Sequence, residues 1–555
     1  MTRAFARWTL LVVTLATAAC GSDPNPPGTV DCAAEIPVAL GAGQFTILDA
    51  SETACVRIPG SAQETEYLFT AMSAKGAVSR DGTAANYELQ GGESPVAKAA
   101  ATGAPAFDRA PPSALAFHDM LRVRERVLSG QPAAVSAARA RIATSVARVD
   151  PPVVGSQRTF DLCATTTCDS FVQSTATAKV VGEQVAIYLD DEAPPGFSQA
   201  DLDEVGALFD AHLYAIDTTA FGRESDLDAN ARVIVLLSQH VNDLSADCNS
   251  SGSIVLGFFF GLDLLPTQDN SNDGEIFYGA VPRSDMPGCS SYTETVVKRS
   301  LPGVFIHEFQ HMISFNQHVL VRGGDIEETW INEGLSHFAE ELGGRQVPDE
   351  LCPLVSQCED QFVGDNLFNA YGYLNDPESS FLVAPATSGG TLEERGASWL
   401  FVRWLGDHFA ATQPLATELT RQLLETSLTG AANIEAVTGE DFPTLVAQWQ
   451  MANYVTNLPG FTPSSDRLMY KAFDLRQVYQ TNFPSVFSKP YPLTPDSTRT
   501  GIYDRSGVLR AGSARHVRII QPAGSGEVAF ILTDGAGSIP IASTNVPRIA
   551  LVRVR

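Results

Sequence analysis

Two histidines four residues apart, with a glutamate directly after the first, stand in Val304-Phe305-Ile306-His307-Glu308-Phe309-Gln310-His311. On a helix, residues four apart lie one above the other, so His307 and His311 can aim ring nitrogens at one zinc ion. Glu308 falls on the flank between them, beside the fourth position, where a water would sit. That arrangement suits hydrolysis. The metal lowers the pKa of the water to about 7, and Glu308 takes its proton as general base. The oxyanion formed at the attacked carbonyl is then held by the metal and a further donor. Around the motif, Ser300 can cap a helix, Pro302 suits its first turn, and Phe305, Phe309, Met312 and Ile313 make an apolar face.

The third metal ligand is less direct. A metzincin-type site needs Gly at 314 and His at 317, where this chain has Ser314 and Gln317. His318 lies two turns beyond His311, about 10 Å along the axis, too far to share the ion. A carboxylate from a second helix remains. Residues 325–343, DIEETWINEGLSHFAEELG, supply that helix. Asp325 with Glu328 predicts a capping box, and Gly343 predicts the stop. Ile331, Leu335, Phe338 and Leu342 form its apolar stripe, with Glu333 on the other face. Position by itself does not separate a ligand Glu333 from a solvated one.

The local text does. His-Glu-x-x-His followed by Trp330-Ile331-Asn332-Glu333-Gly334 resembles the gluzincin metallopeptidases, the thermolysin and aminopeptidase-N clan. In that clan the Glu of the Asn-Glu pair is the third zinc ligand, which implies Glu333 here. Residues 312–332 separate it from His311, slightly more than the usual spacing. The wider stretch 155–455 resembles the hyicolysin-type peptidases, through HEFQHMISF, WINEGLSHFAEE, Gly396-Ala397-Ser398-Trp399-Leu400-Phe401 and Phe221-Gly222-Arg223-Glu224-Ser225-Asp226-Leu227-Asp228. The resemblance implies an α+β fold: a zincin-type catalytic domain, with a mixed sheet followed by helices, flanked by small β-rich domains. It implies a zinc endopeptidase acting on proteins or peptides. One departure stands out. Thermolysin-like enzymes carry an Asp one turn after the third ligand, orienting a zinc-bound His. This chain has His337 there, so that acceptor must come from elsewhere. Tyr371, Tyr373 and His337 are candidates for the oxyanion donor.

Two other classes fit parts of the sequence. One is a surface-tethered binding or adhesion protein with a degenerate peptidase fold, although all four expected site positions are chemically intact. The other is a zinc aminopeptidase, for which no Gly-x-Met-Glu-Asn-type amine-binding motif is present. Asp226-Leu227-Asp228-Ala229-Asn230 looks like half of a calcium loop. Ala231 stands where an EF-hand needs Gly and Leu237 where it needs Glu, so a turn before a strand at 233–237 is the simpler reading, with Ca2+ left open. Asp269-Asn270-Ser271-Asn272-Asp273-Gly274 is a second acidic turn. Trp399, Trp404 and Trp449 read as core.

The elements that must position these groups follow a division along the chain. Residues 1–19 have Arg3 and Arg7 before a short apolar run, a secretory signal rather than a membrane span. Small residues directly before Cys20 resemble a bacterial lipobox. Lipidation of Cys20 and a flexible tether over 20–31 would then anchor the exported chain to a membrane by lipid only. The alternative is ordinary cleavage after Ala16-Thr17-Ala18. The other cysteines fall in close pairs, and nearest-neighbour disulfides are expected: Cys32 with Cys55, Cys163 with Cys168, Cys248 with Cys289, and Cys352 with Cys358. Residues 32–152 read as a β region and a helical linker that could be a pro-segment, 153–460 as the catalytic domain and 461–555 as a C-terminal β-rich domain. The 555 residues carry 37 Lys+Arg against 64 Asp+Glu, a net charge of −27. Without basic clusters, nucleic acid is excluded as a partner.

Overall fold

Short alternating apolar runs near both ends of the chain form strands, but these strands pair with each other across the whole length of the sequence. The computed structural model describes residues 30, 32–93, 113–144, 149–245, 248–251, 253–482, 486–537 and 539–555. The signal segment, Cys20 and the tether over 20–29 lie outside the described residues. In chain order the strands are β1 (Phe45–Asp49), β2 (Cys55–Ile58), β3 (Thr65–Ser73) and β4 (Ala84–Gly92). Helices α1 (Ser113–Ser129) and α2 (Pro132–Thr144) follow, then β5 (Gln157–Cys163), β6 (Phe171–Val181) and β7 (Val185–Asp190). Next come α3 (Gln199–Leu208), α4 (Tyr214–Phe221), β8 (Val233–Leu237), α5 (Gln239–Asp243), α6 (Cys248–Ser251), β9 (Gly257–Phe259) and β10 (Ile276–Gly279). The helical part holds α7 (Glu294–Phe315), α8 (Thr329–Gln346), α9 (Cys358–Phe362), α10 (Gly364–Asn375), α11 (Leu392–Phe409), α12 (Thr417–Leu424), α13 (Gly430–Thr438), α14 (Phe442–Val455) and the short α15 (Leu475–Gln477). Strands β11 (Asp496–Thr498), β12 (Tyr503–Arg510), β13 (Ala514–Gln521), β14 (Val528–Asp534) and β15 (Pro547–Arg553) complete the chain. The fold is mixed α+β, with three sheets among the described residues.

The β regions expected as two separate flanking units are interleaved. One sheet runs β1-β15-β3-β13-β11 and another β12-β4-β14-β2, so every neighbour of an N-terminal strand in them is a C-terminal one. The reason lies in β3. Every one of its nine residues is buried. Tyr67, Phe69 and Ala71 join Val517, Ile519, Phe530 and Leu551 in a core between the two sheets. Leu68 and Met72, on the opposite face, belong to the large core shared with the helical part. A strand that is apolar on both faces cannot serve as an edge, and it takes β13 and β15 as its two neighbours. Side chain to backbone bonds tie this sandwich to α14: Gln450 Nε2 donates to Gly512 O at 2.6 Å, and His516 Nε2 lies 2.9 Å from Gln450 O.

The third sheet runs β5-β6-β7-β8-β10-β9. Strand β8, Val-Ile-Val-Leu-Leu and fully buried, lies parallel between β7 and β10, as a continuous apolar run requires. Strand β9 is antiparallel on β10 and forms the edge. All four expected disulfides are present, with Cα–Cα separations of 5.5, 4.7, 4.8 and 5.3 Å. No helix among the described residues is long and apolar enough to cross a membrane.

A chain lacking residues 32–93 should leave β12, β14 and β15 without their strand partners and β13 with only β11. We expect it to be insoluble, or to lose cooperative thermal unfolding of the sandwich by circular dichroism. A soluble truncated chain that melts cooperatively at the full-length midpoint would show that these strands are dispensable.

Candidate metal centre

Helix α7 starts two turns before the expected cap. Thr293 is its N-cap, accepting from Val296 N at 3.2 Å, and Ser300 and Pro302 lie inside the helix. A π-helical turn, Asn316–Val321, extends its far end. Helix α8 also differs at its ends. Glu328 is its N-cap without a side-chain cap bond, and its carboxylate instead accepts from Trp330 Nε1 at 2.7 Å. The helix runs past Gly343 to Gln346 because its last turns stay packed, with Glu341 accepting from Arg345 Nε at 2.7 Å, Arg403 Nη1 at 3.0 Å and Trp399 Nε1 at 3.1 Å.

The two helices bring His307, His311 and Glu333 together. His307 Nε2 and His311 Nε2 are 3.2 Å apart. Glu333 Oε2 lies 3.6 Å from His307 Nε2, and Glu333 Oε1 lies 3.7 Å from His311 Nε2. Tetrahedral zinc with bonds of 2.0–2.1 Å needs ligand-to-ligand edges of about 3.3 Å, and the three separations, those to Glu333 reaching its two different oxygens, lie within a few tenths of an ångström of this. Glu333 is 1% exposed, and neither of its oxygens has a hydrogen bond of good geometry among the described residues. Its charge is met by Arg395 of α11, whose Nη1 is 3.0 Å from Oε2. Burial alone would raise the Glu333 pKa, but Arg395 and the two histidines hold it well below the usual carboxylate range. Donor set, spacing and unsatisfied oxygens all fit a zinc-sized cation.

The acceptor missing from the sequence pattern is Glu340, two turns beyond Glu333 on the same helix. Its Oε1 accepts from His307 Nδ1 at 2.7 Å, which leaves the His307 Nε2 lone pair for a metal. Burial opposes ionisation of Glu340, yet His337 and His307 outweigh it and bring its pKa to about 2. His337 Nδ1 sits 3.2 Å from the other Glu340 oxygen, and its ring stands edge-on to His307 at 4.9 Å between centroids. His337 Nε2 is buried and has no hydrogen-bond partner among the described residues. Ser336 Oγ lies 3.2 Å from both ring nitrogens of His311.

Glu308 is 4% exposed, and burial raises its pKa, with His307 and Arg122 acting against the shift. Its Oε2 accepts from Phe259 N, at the end of edge strand β9, at 2.8 Å. Helix α1 covers the same edge. Arg122 Nη2 donates to Phe259 O at 3.0 Å, Glu125 accepts from Gly261 N at 2.7 Å, and the two side chains pair at 2.7 Å. Phe117 of α1 packs edge-on against Phe258.

The remaining candidates fall elsewhere. Tyr373 is buried, stacked on Trp449, and its hydroxyl accepts from Gln450 Nε2 at 2.9 Å. Tyr371 Oη is engaged by Lys489 N at 2.9 Å and Ser488 Oγ at 3.3 Å. Both hydroxyls are thus engaged by residues of α14 and of the segment after α15, and neither is bonded to the histidines. His318 is fully buried beside Glu327, 3.7 Å away, outside the cluster as expected. Trp399, Trp404 and Trp449 are core. No family model matches this chain, and no curated protein does.

Two glycines let the helices close on the centre. A Cβ at Gly334 would meet Ser398 O at 2.9 Å and Val402 Cγ2 at 3.0 Å; one at Gly396 would meet Asn369 C at 2.3 Å. Gly334 therefore sets the α8–α11 spacing that puts Arg395 against Glu333. Gly334→Ala should destabilise by about 1–3 kcal/mol through overpacking, read as a thermal midpoint lowered by several degrees. A wild-type midpoint would remove this role.

Proposed function

We propose that this chain is an exported zinc-dependent endopeptidase of gluzincin type that hydrolyses peptide bonds of proteins or peptides. The observation that carries the reading is the His307–His311–Glu333 triangle with the Glu308 carboxylate on the flanking position of the same helix. A mixed sheet whose antiparallel edge strand runs beside α7 supports a zincin-type catalytic unit, and four disulfides support export.

Zinc in this site would supply Lewis acidity, polarising the scissile carbonyl and lowering the pKa of water to about 7. The protein's own groups do the rest. Glu340 orients His307, and Arg395 balances the charge of Glu333. Glu308, its pKa raised by burial, takes the proton of the attacking water and delivers it to the leaving amine. His337 Nε2 is the one donor of the three candidates that lies beside His307 with no other partner, and it serves the developing oxyanion. Glu308→Gln should retain zinc and the wild-type fold while peptide hydrolysis falls at least about 100-fold. His307→Ala should lose zinc by metal analysis. Hydrolysis surviving in Glu308→Gln would sink the mechanism.

Access is the second part of the reading. His307, Glu308, His311 and Glu333 are each no more than 8% exposed. The outward N–H and C=O of Phe259 are taken by Glu308 and Arg122. A substrate can reach Glu308 only after α1 leaves β9. Residues 32–93 are woven into the sandwich, so within the expected pro-segment it is α1 that holds the centre shut. Removing two charge-assisted bonds, each worth about 1.5–3 kcal/mol, should favour the open form. Arg122→Ala/Glu125→Gln should therefore cleave a peptide substrate at least about 10-fold faster than wild type at equal zinc content. Equal or lower rates from a folded, zinc-loaded variant would refute this closure.

A further inference from the structure

A second group of acidic side chains stands apart from the His–Glu centre. Asp226 and Asp228 lie on the loop that leads from α4 into β8, and Glu275 directly precedes β10. One carboxylate oxygen from each lies within 4.8 Å of the others. Backbone and side-chain groups hold the cage. Ala231 N donates to Asp226 Oδ1 at 3.0 Å, Asn230 Nδ2 to Asp228 Oδ2 at 2.6 Å, and Leu227 N to Glu275 Oε1 at 2.8 Å. Ser225 Oγ also donates to Glu275 Oε1.

Glu275 makes this more than a surface cluster. It is 1% exposed, and its second oxygen, Oε2, is buried with no hydrogen-bond partner among the described residues. A buried carboxylate oxygen left unpaired is costly, and burial pushes the Glu275 pKa up to about 8, so the group stays ionised at neutral pH when a cation satisfies it. Protein cations supply little here. Arg158 approaches Asp228 Oδ2 at 3.9 Å, its guanidinium lies over Phe160, and it donates to Asn272 O. Among the described ion pairs, none reaches Asp226 or Glu275.

We propose that Asp226, Asp228 and Glu275 form a structural calcium site. All three ligands are hard carboxylates, with no nitrogen or sulfur donor, which favours calcium over zinc. The three charges exceed those of one divalent ion by a single unit, and Arg158 offsets that remainder. The position gives the ion a task. Strands β8 and β10 are parallel neighbours in the sheet beneath α7, and Ile234 N donates to Glu275 O at 2.7 Å where they begin. An ion bound to the loop before β8 and the residue before β10 would clamp the two strand starts together. Its effect would fall on stability, without any part in the chemistry at Glu308.

The test uses the full-length zinc-loaded chain carrying Glu308→Gln, so that self-cleavage cannot blur the readout. After passage through a calcium-depleting resin, Ca2+ is titrated by calorimetry and thermal melting. We expect one Ca2+ per chain at this site, and a midpoint rise of about 5 °C at free Ca2+ of about 100 times Kd. Glu275→Gln should abolish both. If that variant does not fold, Asp226→Asn, at the more exposed carboxylate, carries the test and should weaken binding at least about 10-fold. No Ca2+-dependent shift in the parent, a shift unchanged in a folded variant, or an equal shift with Mg2+ would each overturn the proposal. Zinc content is measured in parallel, so a failure here is distinct from a failure of the peptidase reading.

Discussion

A buried carboxylate without a good hydrogen bond stays ionised only beside opposite charge, and Glu333 imposes that condition on everything around it. It sits at 1% exposure with both oxygens unsatisfied. An ionised group in that setting is tolerated only when opposite charge lies within a few ångströms. Arg395 provides one charge and the two imidazoles the polar remainder, and these three must arrive from different parts of the chain. The architecture of the helical part follows from this. Helix α7 presents the histidines, α8 presents Glu333 and Glu340, and α11 brings Arg395 in over Gly334. The cluster His307–Glu340–His337 extends the same compensation one layer outward. Glu333 and Glu340 each face two ring nitrogens, and the His307 and His337 rings are both oriented by Glu340.

This arrangement tolerates little slack, and the rest of the fold removes it. The sheet under α7 is built on β8, an all-apolar central strand. The sandwich core buries one face of β3 and the helical part the other, and the sandwich locks to α14 through Gln450 and His516. The chain ends are thereby part of the frame. A strand from residues 65–73 and one from 547–553 are hydrogen-bonded neighbours, and they pack on the same core as the helices that carry the centre.

Much of the centre was legible because its chemistry is local. A four-residue spacing and an Asn-Glu-Gly triplet point to His307, Glu308, His311 and Glu333 without knowledge of any tertiary contact, and cysteines close in sequence found their partners. Glu340 could have been found by the same means. It falls seven residues after Glu333, two turns along the same face, and only attention to the four-residue position, occupied by His337, hid it. Arg395, Arg122 and Glu125 are different. Nothing periodic links them to the motif, and they reach the site through the packing of α11 and α1. The helix ends were misread for a related reason. Ser300 and Asp325 look like caps, but tertiary packing extends α7 two turns earlier and starts α8 at Thr329, so burial overrides the local signal. The interleaved sheets were beyond reach for the same reason, since strand pairing over more than 400 residues leaves no trace in local periodicity.

Phe259 is bonded on one side to the proposed base and on the other to the covering helix. Its N–H holds the Glu308 carboxylate, and its C=O holds Arg122 of α1. A strand edge must pair with something, because its outward N–H and C=O groups are costly when buried and unsatisfied. Here Glu308 and Arg122 of the covering helix supply that pairing. An extended peptide chain offers the same two groups, a carbonyl and an amide, in the same plane as the strand. Its binding would therefore free the Glu308 oxygen and displace Arg122 through one exchange of hydrogen bonds. On the proposed peptidase reading, the base would be released at the place where a peptide backbone docks, so opening and substrate engagement would draw on the same pair of atoms.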